Sequence, residues 1–158
     1  MNLKEFLTPY IITNMFALLM IFICWKKPRT GKIVWGFVFL GAGLFNLFHG
    51  ITNPTAYLNY ANMAVFSFLR DFINGPFSRL TMPIIALIAV GQMFVGFFLL
   101  YRSRRMNRLG LIGGIVFLVC IAPLGIGSAF PASLIMAATL ILILIYLPSN
   151  RSSSMRID

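Results

Sequence analysis

From Leu109 to Leu147 the chain runs through 39 residues without a charge. As one helix this stretch would measure about 58 Å, roughly twice the ~30 Å hydrocarbon core of a bilayer. Pro123, Gly125, Gly127 and Pro131 interrupt it. They predict two helices over 109–126 and 131–147 with a turn near Gly125–Phe130; a kink at Pro123 inside a longer helix is the alternative. The rest of the chain has the same character. Charged residues make up 10% of the 158 and apolar residues 59%, with a mean hydropathy of +0.91. Soluble domains carry charge at about 25% of positions, so water is excluded as the main solvent.

Three more apolar runs are long enough to cross a bilayer: Pro9–Trp25, Ile33–Ile51 and Leu80–Tyr101. The fold class that follows is all-α. It is a single polytopic transmembrane bundle with five spans at 9–25, 33–51, 80–101, 109–126 and 131–147. Pro9, Pro83 and Pro131 are placed near the first turns of spans one, three and five, where proline costs no intrahelical hydrogen bond.

The net charge of +10 does not form the basic, aromatic-interleaved stripe of a nucleic-acid binder. The bases sit just beyond apolar runs instead. Lys26, Lys27, Arg29 and Lys32 follow span one, and Arg102, Arg104, Arg105 and Arg108 follow span three. Arg151 and Arg156 lie in a tail at 148–158. Lys4, Arg70 and Arg79 fall on the other side. The bias predicts an outside N-terminus and a cytoplasmic C-terminus and tail. Met1–Glu5 pairs one base with one acid, unlike the basic start of a removable signal peptide.

The connection Thr52–Arg79 is too long for a structureless loop. Asn53-Pro54 reads as a helix start and Asn74-Gly75-Pro76 as a stop. An interfacial helix over 54–73, between spans two and three, is predicted on the outer membrane surface or over the end of the bundle. It either connects two spans and does no more, or acts as a lid.

Polar side chains in apolar segments are the best functional clue, because lipid offers them no partner. Asn14, Asn46, His49 and Gln92 are the candidates in the spans. Tyr57, Tyr60, Arg70 and Asp71 lie on the interfacial segment. Together they outline an outward-facing polar pocket for a lipophilic ligand, a lipid or a quinone. The competing role is hydrogen bonding between helices, at about 0.6–2 kcal/mol each. No catalytic residue stands out: the chain has three acids and one histidine, with no triad or carboxylate pair. Cys24 and Cys120 lack metal-ligand or redox spacing, so no metal site is predicted. Gly41, Gly43, Gly91, Gly96, Gly110 and Gly114 are expected to let helices approach closely.

Gly41-Ala-Gly-Leu-Phe-Asn-Leu-Phe-His-Gly50, followed by Asn53-Pro54, resembles the DoxX-like family of small bacterial membrane proteins. Ile84–Leu100, with Gly91-Gln92 and Gly96, is similar to that family's next helix, and Leu109–Leu147 to its final pair. The resemblance covers residues 33–147 and is a pattern of helices and small residues. It implies a helical bundle in the bacterial inner membrane. The family's founding members are associated with a membrane thiosulfate:quinone oxidoreductase, so quinone enters as a cofactor by resemblance only, and no catalytic residue carries over. The additional first span departs from the plainer four-helix form. A translocator-protein type of bundle is a poorer match, since Trp25 and Trp35 are the only tryptophans.

Three functions remain open at this stage. The first is a non-enzymatic binder of a lipophilic ligand. The second is a membrane subunit or anchor of a redox or transport complex, and the third is a small solute transporter acting as a homo-oligomer. The partners implied are the lipid bilayer and a membrane protein or a second copy.

Overall fold

With no charge to solvate, an apolar run satisfies its amides by coiling on itself, and each predicted run is helical. The computed structural model describes the backbone of residues 3–146 and side chains from residue 7 onward. Leu147, the tail 148–158 and the side chain of Lys4 lie outside the described residues. The α-helices are α1 Leu3–Lys26, α2 Pro28–Thr52, α3 Ser67–Phe72, α4 Thr81–Leu100, α5 Arg104–Ile121 and α6 Ala132–Tyr146. No strand occurs among the described residues. Leu7–Lys26, Pro28–Thr52, Thr81–Leu100 and Arg104–Ser128 are long and apolar enough to cross a membrane, and Ala132–Tyr146 is a shorter apolar helix.

Three helices begin earlier than their apolar runs: α1, α2 and, at Arg104, α5. α1 starts at Leu3, which puts Pro9 inside the helix and not at its start. α2 starts on Pro28 at its first turn, whose fixed φ already suits a helix. Arg29 and Lys32 therefore ride on α2 itself. The break between the last two helices falls at Ala122–Ser128, a 3₁₀ segment in which Gly125 takes φ +68°, followed by Ala129 in the left-handed region.

The long helices form a closed ring in the order α1–α2–α4–α5–α6, with α6 also reaching across to α2. The α2–α4 seam is backbone on backbone. A Cβ at Gly96 would stand 2.7 Å from the Gly36 carbonyl oxygen and 2.8 Å from the Leu40 nitrogen, and one at Gly43 would stand 2.7 Å from the Ala89 carbonyl. Gly36, Gly43 and Gly50 repeat every seven residues along this seam. Gly110 brings α5 against Val95 and Leu99, and Gly114 makes room for Leu140 and Phe39. Gly41 and Gly91 differ from expectation: nothing lies within 4 Å of either Cβ position. They face out of the bundle, two residues away from the seam on one helix and five on the other.

One end of the ring is tied by Asn107, which is buried. With its amide turned so that both ends are satisfied, Asn107 donates to the Phe98 and Tyr101 carbonyls at 2.8 Å and accepts from Lys32 Nζ at 3.0 Å. These are carbonyls that the end of α4 leaves without intrahelical donors. The start of α2, the end of α4 and the start of α5 thus meet at this basic end.

The opposite end is covered by residues 54–77, which do not form the single helix predicted over 54–73. Pro54–Asn62 is 3₁₀, Phe66 is extended, α3 lasts six residues, and Ile73–Phe77 is a π turn containing Pro76. The interruption has a visible cause. The Val65 amide donates to the Pro123 carbonyl at 3.0 Å, so the chain leaves helical geometry to bridge to the α5–α6 turn. Gly125 packs on the Met63 carbonyl and Gly127 on the Tyr60 ring, with no space for a Cβ at either position. This cap is fastened at both sides.

Candidate functional site

Two separate cores pack the ring. The lower one centres on Trp35, Phe39, Leu118 and Leu140. The upper one, under the cap, joins Tyr57, Ala61, Ile73, Phe77 and Ile85. Between them lies a cavity of about 580 Å³, with walls contributed by all five long helices and by the cap. Its shape follows from the packing. Glycines hold α4 to α5 near the basic end, at Gly110 and Gly113 against Val95. Nearer the cap the two helices become facing walls, Ile84–Gln92 on one and Phe117–Ile121 on the other.

The lining is mostly apolar, with Thr13, Ser128 and Ser133 contributed by α1, the α5–α6 turn and α6, and a polar strip that α2, α4 and the cap assemble. Asn46 Nδ2 donates to Gln92 Oε1 at 2.7 Å, and the Tyr57 hydroxyl donates to Asn46 Oδ1 at 3.0 Å. Gln92 is 5% exposed and Tyr57 8%, so the chain of bonds is shielded from bulk water. Burial pushes the Tyr57 phenol above its ordinary pKa, and the neighbouring Tyr60 adds to this; burial does the same to Tyr60. Both phenols stay protonated, and Tyr57 keeps its donor role.

Trp35 closes the floor. Its Nε1 donates to Thr139 Oγ1 at 3.0 Å, and Thr139 in turn donates to the Met136 carbonyl at 2.7 Å. Phe16 meets its ring edge-on at 5.9 Å, and Phe39 lies 6.0 Å away. Ser133, one turn above Met136 on the same wall, is buried, and its Oγ has no hydrogen-bond partner.

The eight candidates divide accordingly. Asn46, Tyr57, Tyr60 and Gln92 come together on the cavity wall. Asn14 does not join them, because its Nδ2 bonds the Tyr10 carbonyl of its own helix at 2.9 Å. The neighbouring Thr13 lines the cavity instead, since one residue is a turn of about 100° on a helix. His49 stacks on Phe45 at 5.2 Å and stands edge-on to Tyr57 at 6.1 Å. It supports the strip from behind and is not part of the lining. Arg70 is exposed, with Nε donating to the Ala61 carbonyl at 3.3 Å, and so braces the cap. Asp71 is exposed on the cap.

Ser133 and Thr139 had no place among the sequence candidates. Their signal is the stripe Ala132, Ser133, Met136, Ala137, Thr139, Leu140 and Ile143, the buried face of α6, where small and hydroxyl residues mark contact with protein and not with lipid. Among the described residues there is no group of three or more His, Cys, Asp or Glu that could hold a metal ion. Set against protein-family models, curated proteins and solved structures, this chain matches none of them.

Proposed function

We propose that this chain is a multi-pass membrane protein that binds a lipophilic molecule in the cavity beneath the 54–77 cap. In this reading α6 makes the fifth crossing, the basic end is cytoplasmic and the capped end faces outward. The DoxX-like resemblance and a bacterial inner-membrane location belong to the same proposal, supported by the Gly41–Gly50 pattern and by the bias of basic residues. The surface is compatible with lipid: Met15, Phe37, Phe48, Leu87 and Ile145 are all more than 60% exposed, a pattern unfavourable in water.

The observation that carries the binding reading is the cavity itself. About 580 Å³ of space lies within walls that are mostly apolar and carry no charged side chain, a setting that favours a lipophile over an ion. Native mass spectrometry of the protein released from mild detergent tests this directly. A small molecule should accompany the wild type and be lost from Ala42→Phe, which places a ring in the cavity. Release of the bare chain alone from the wild type would refute the binding reading.

A further inference from the structure

Resting on the membrane and lipophile readings above, we propose that the cavity opens sideways into the bilayer between α4 and α5. Its occupant is a hydrocarbon chain of a membrane lipid, threaded through that gap. The course of the α4–α5 seam leads to this. Gly113 of α5 lies against Val95 of α4, where an added Cβ would stand 3.2 Å from Val95 Cγ2. Seven residues on, two turns toward the cap, Cys120 occupies the same face of α5. Seven residues back along α4, Ile88 occupies the face of Val95. A continuous seam would bury these two against each other. Instead Cys120 is exposed and Ile88 half-buried, and both line the cavity. The helices have parted there, and the cavity reaches the outer surface of the ring.

The cap supplies the upper rim. Phe72, the last residue of α3, lines the cavity and is nevertheless exposed, and Leu69, one turn before it, also lines the cavity. The opening thus has α4 and α5 at its sides and α3 above it.

Depth decides what stands outside. Cys120 is sixteen residues from Arg104 at the start of α5, a rise of about 24 Å. That falls within the roughly 30 Å of hydrocarbon measured from the basic end, so the gap meets acyl chains and not water. Ile84, Ile88, Cys120, Ile121 and Phe72 make an apolar passage, and no Lys, Arg, His, Asp or Glu lines the cavity. A hydrocarbon chain passes without a change of surroundings. A phosphate or carboxylate head group would lose its hydration and find no counter-charge, so it stays outside.

Trp35 reports occupancy. It lines the cavity floor at 1% exposure, whereas Trp25, the other tryptophan, is exposed. The test is made in Trp25→Phe reconstituted into phosphatidylcholine vesicles. Exchanging the lipid for one brominated near its chain ends should dim Trp35 emission, because bromine quenches only at short range and Trp35 is shielded from lipid outside the ring. Filling the gap with Cys120→Phe and Ile88→Phe together should abolish the dimming. Cys120→Phe alone, at an exposed position, should weaken it, and carries the test where the double variant folds poorly. Dimming untouched by these substitutions overturns the opening between α4 and α5. An undimmed Trp35 overturns the threaded chain. A small molecule still released from the wild type in native mass spectrometry would then keep the lipophile reading, and release of the bare chain would remove both.

Discussion

Gln92 is buried and holds Asn46, itself half-buried, through its side-chain oxygen. Replacing Gln92 by Leu leaves Asn46 Nδ2 without its acceptor, a loss of about 1–2 kcal/mol. Removing both amides, in Asn46→Leu with Gln92→Leu, should cost clearly less than the two single losses added together. A double-mutant cycle on thermal unfolding in detergent measures this coupling, and strict additivity would refute the pairing. Tyr57 and Tyr60 add a pH dependence. Burial raises their folded-state pKa values, so as pH rises past about 10, the ordinary tyrosine value, the unfolded chain gives up protons first. Stability contributed by the neutral phenols is complete below that pH and is lost above it. Tyr60→Phe should flatten the alkaline limb of a plot of unfolding midpoint against pH, and an unchanged slope would count against buried phenols. At this scale the sequence was half legible. Asn46 and Gln92 announced themselves as amides in apolar runs. Asn14 looked equivalent, but its helical register and a bond to its own Tyr10 carbonyl remove it, and no single-helix pattern reveals that.

Helix pairing is decided by where a missing Cβ is required. Gly96→Ala would drive a methyl into the Gly36 carbonyl and the Leu40 amide; both are backbone, so the helices themselves must part. The expected loss is about 2 kcal/mol or more, as for overpacked cores. Gly91→Ala, five residues away on the same helix, meets nothing. It should be neutral or stabilising by up to about 1 kcal/mol, because alanine loses less chain entropy in a helix. Urea or thermal melts of the two variants side by side give the comparison, and equal effects would refute the α2–α4 seam. The sequence reading paired Gly41 with Gly43 and passed over the seven-residue repeat of Gly36, Gly43 and Gly50 that makes the seam; spacing discriminates better than glycine content. The cap was less readable. Residues 54–73 have the length and composition of a helix, but the Val65–Pro123 bond breaks it, and a bond between segments more than fifty residues apart leaves no trace in local periodicity.

For the whole molecule, the bundle was the most legible part, because apolar run length and basic clusters are properties of the solvent boundary and not of packing detail. A polar pocket was expected from the amides and tyrosines, but the size of the cavity was not legible, since it arises where two glycine-held helices separate and its volume depends on every wall at once. Which end faces the cytoplasm is a separate matter from which residues share an end. Asn107 bonds the terminal carbonyls of α4 and Lys32 Nζ, so Lys26, at the close of α1, and Arg104, at the opening of α5, belong to one end of the ring. Arg79 and the cap belong to the other. Single cysteines at Lys26, Arg104 and Asn59, in a background with Cys24 and Cys120 replaced by alanine, should therefore label in two sets. A membrane-impermeant maleimide added to intact cells should reach Asn59→Cys and neither of the other two, which should react only after the membrane is opened. Reaction of both sets with reversed sidedness would invert the orientation but keep the fold. Lys26→Cys and Arg104→Cys reacting from opposite sides would break the ring itself, because no arrangement of these helices that keeps the Asn107 bonds can place them apart.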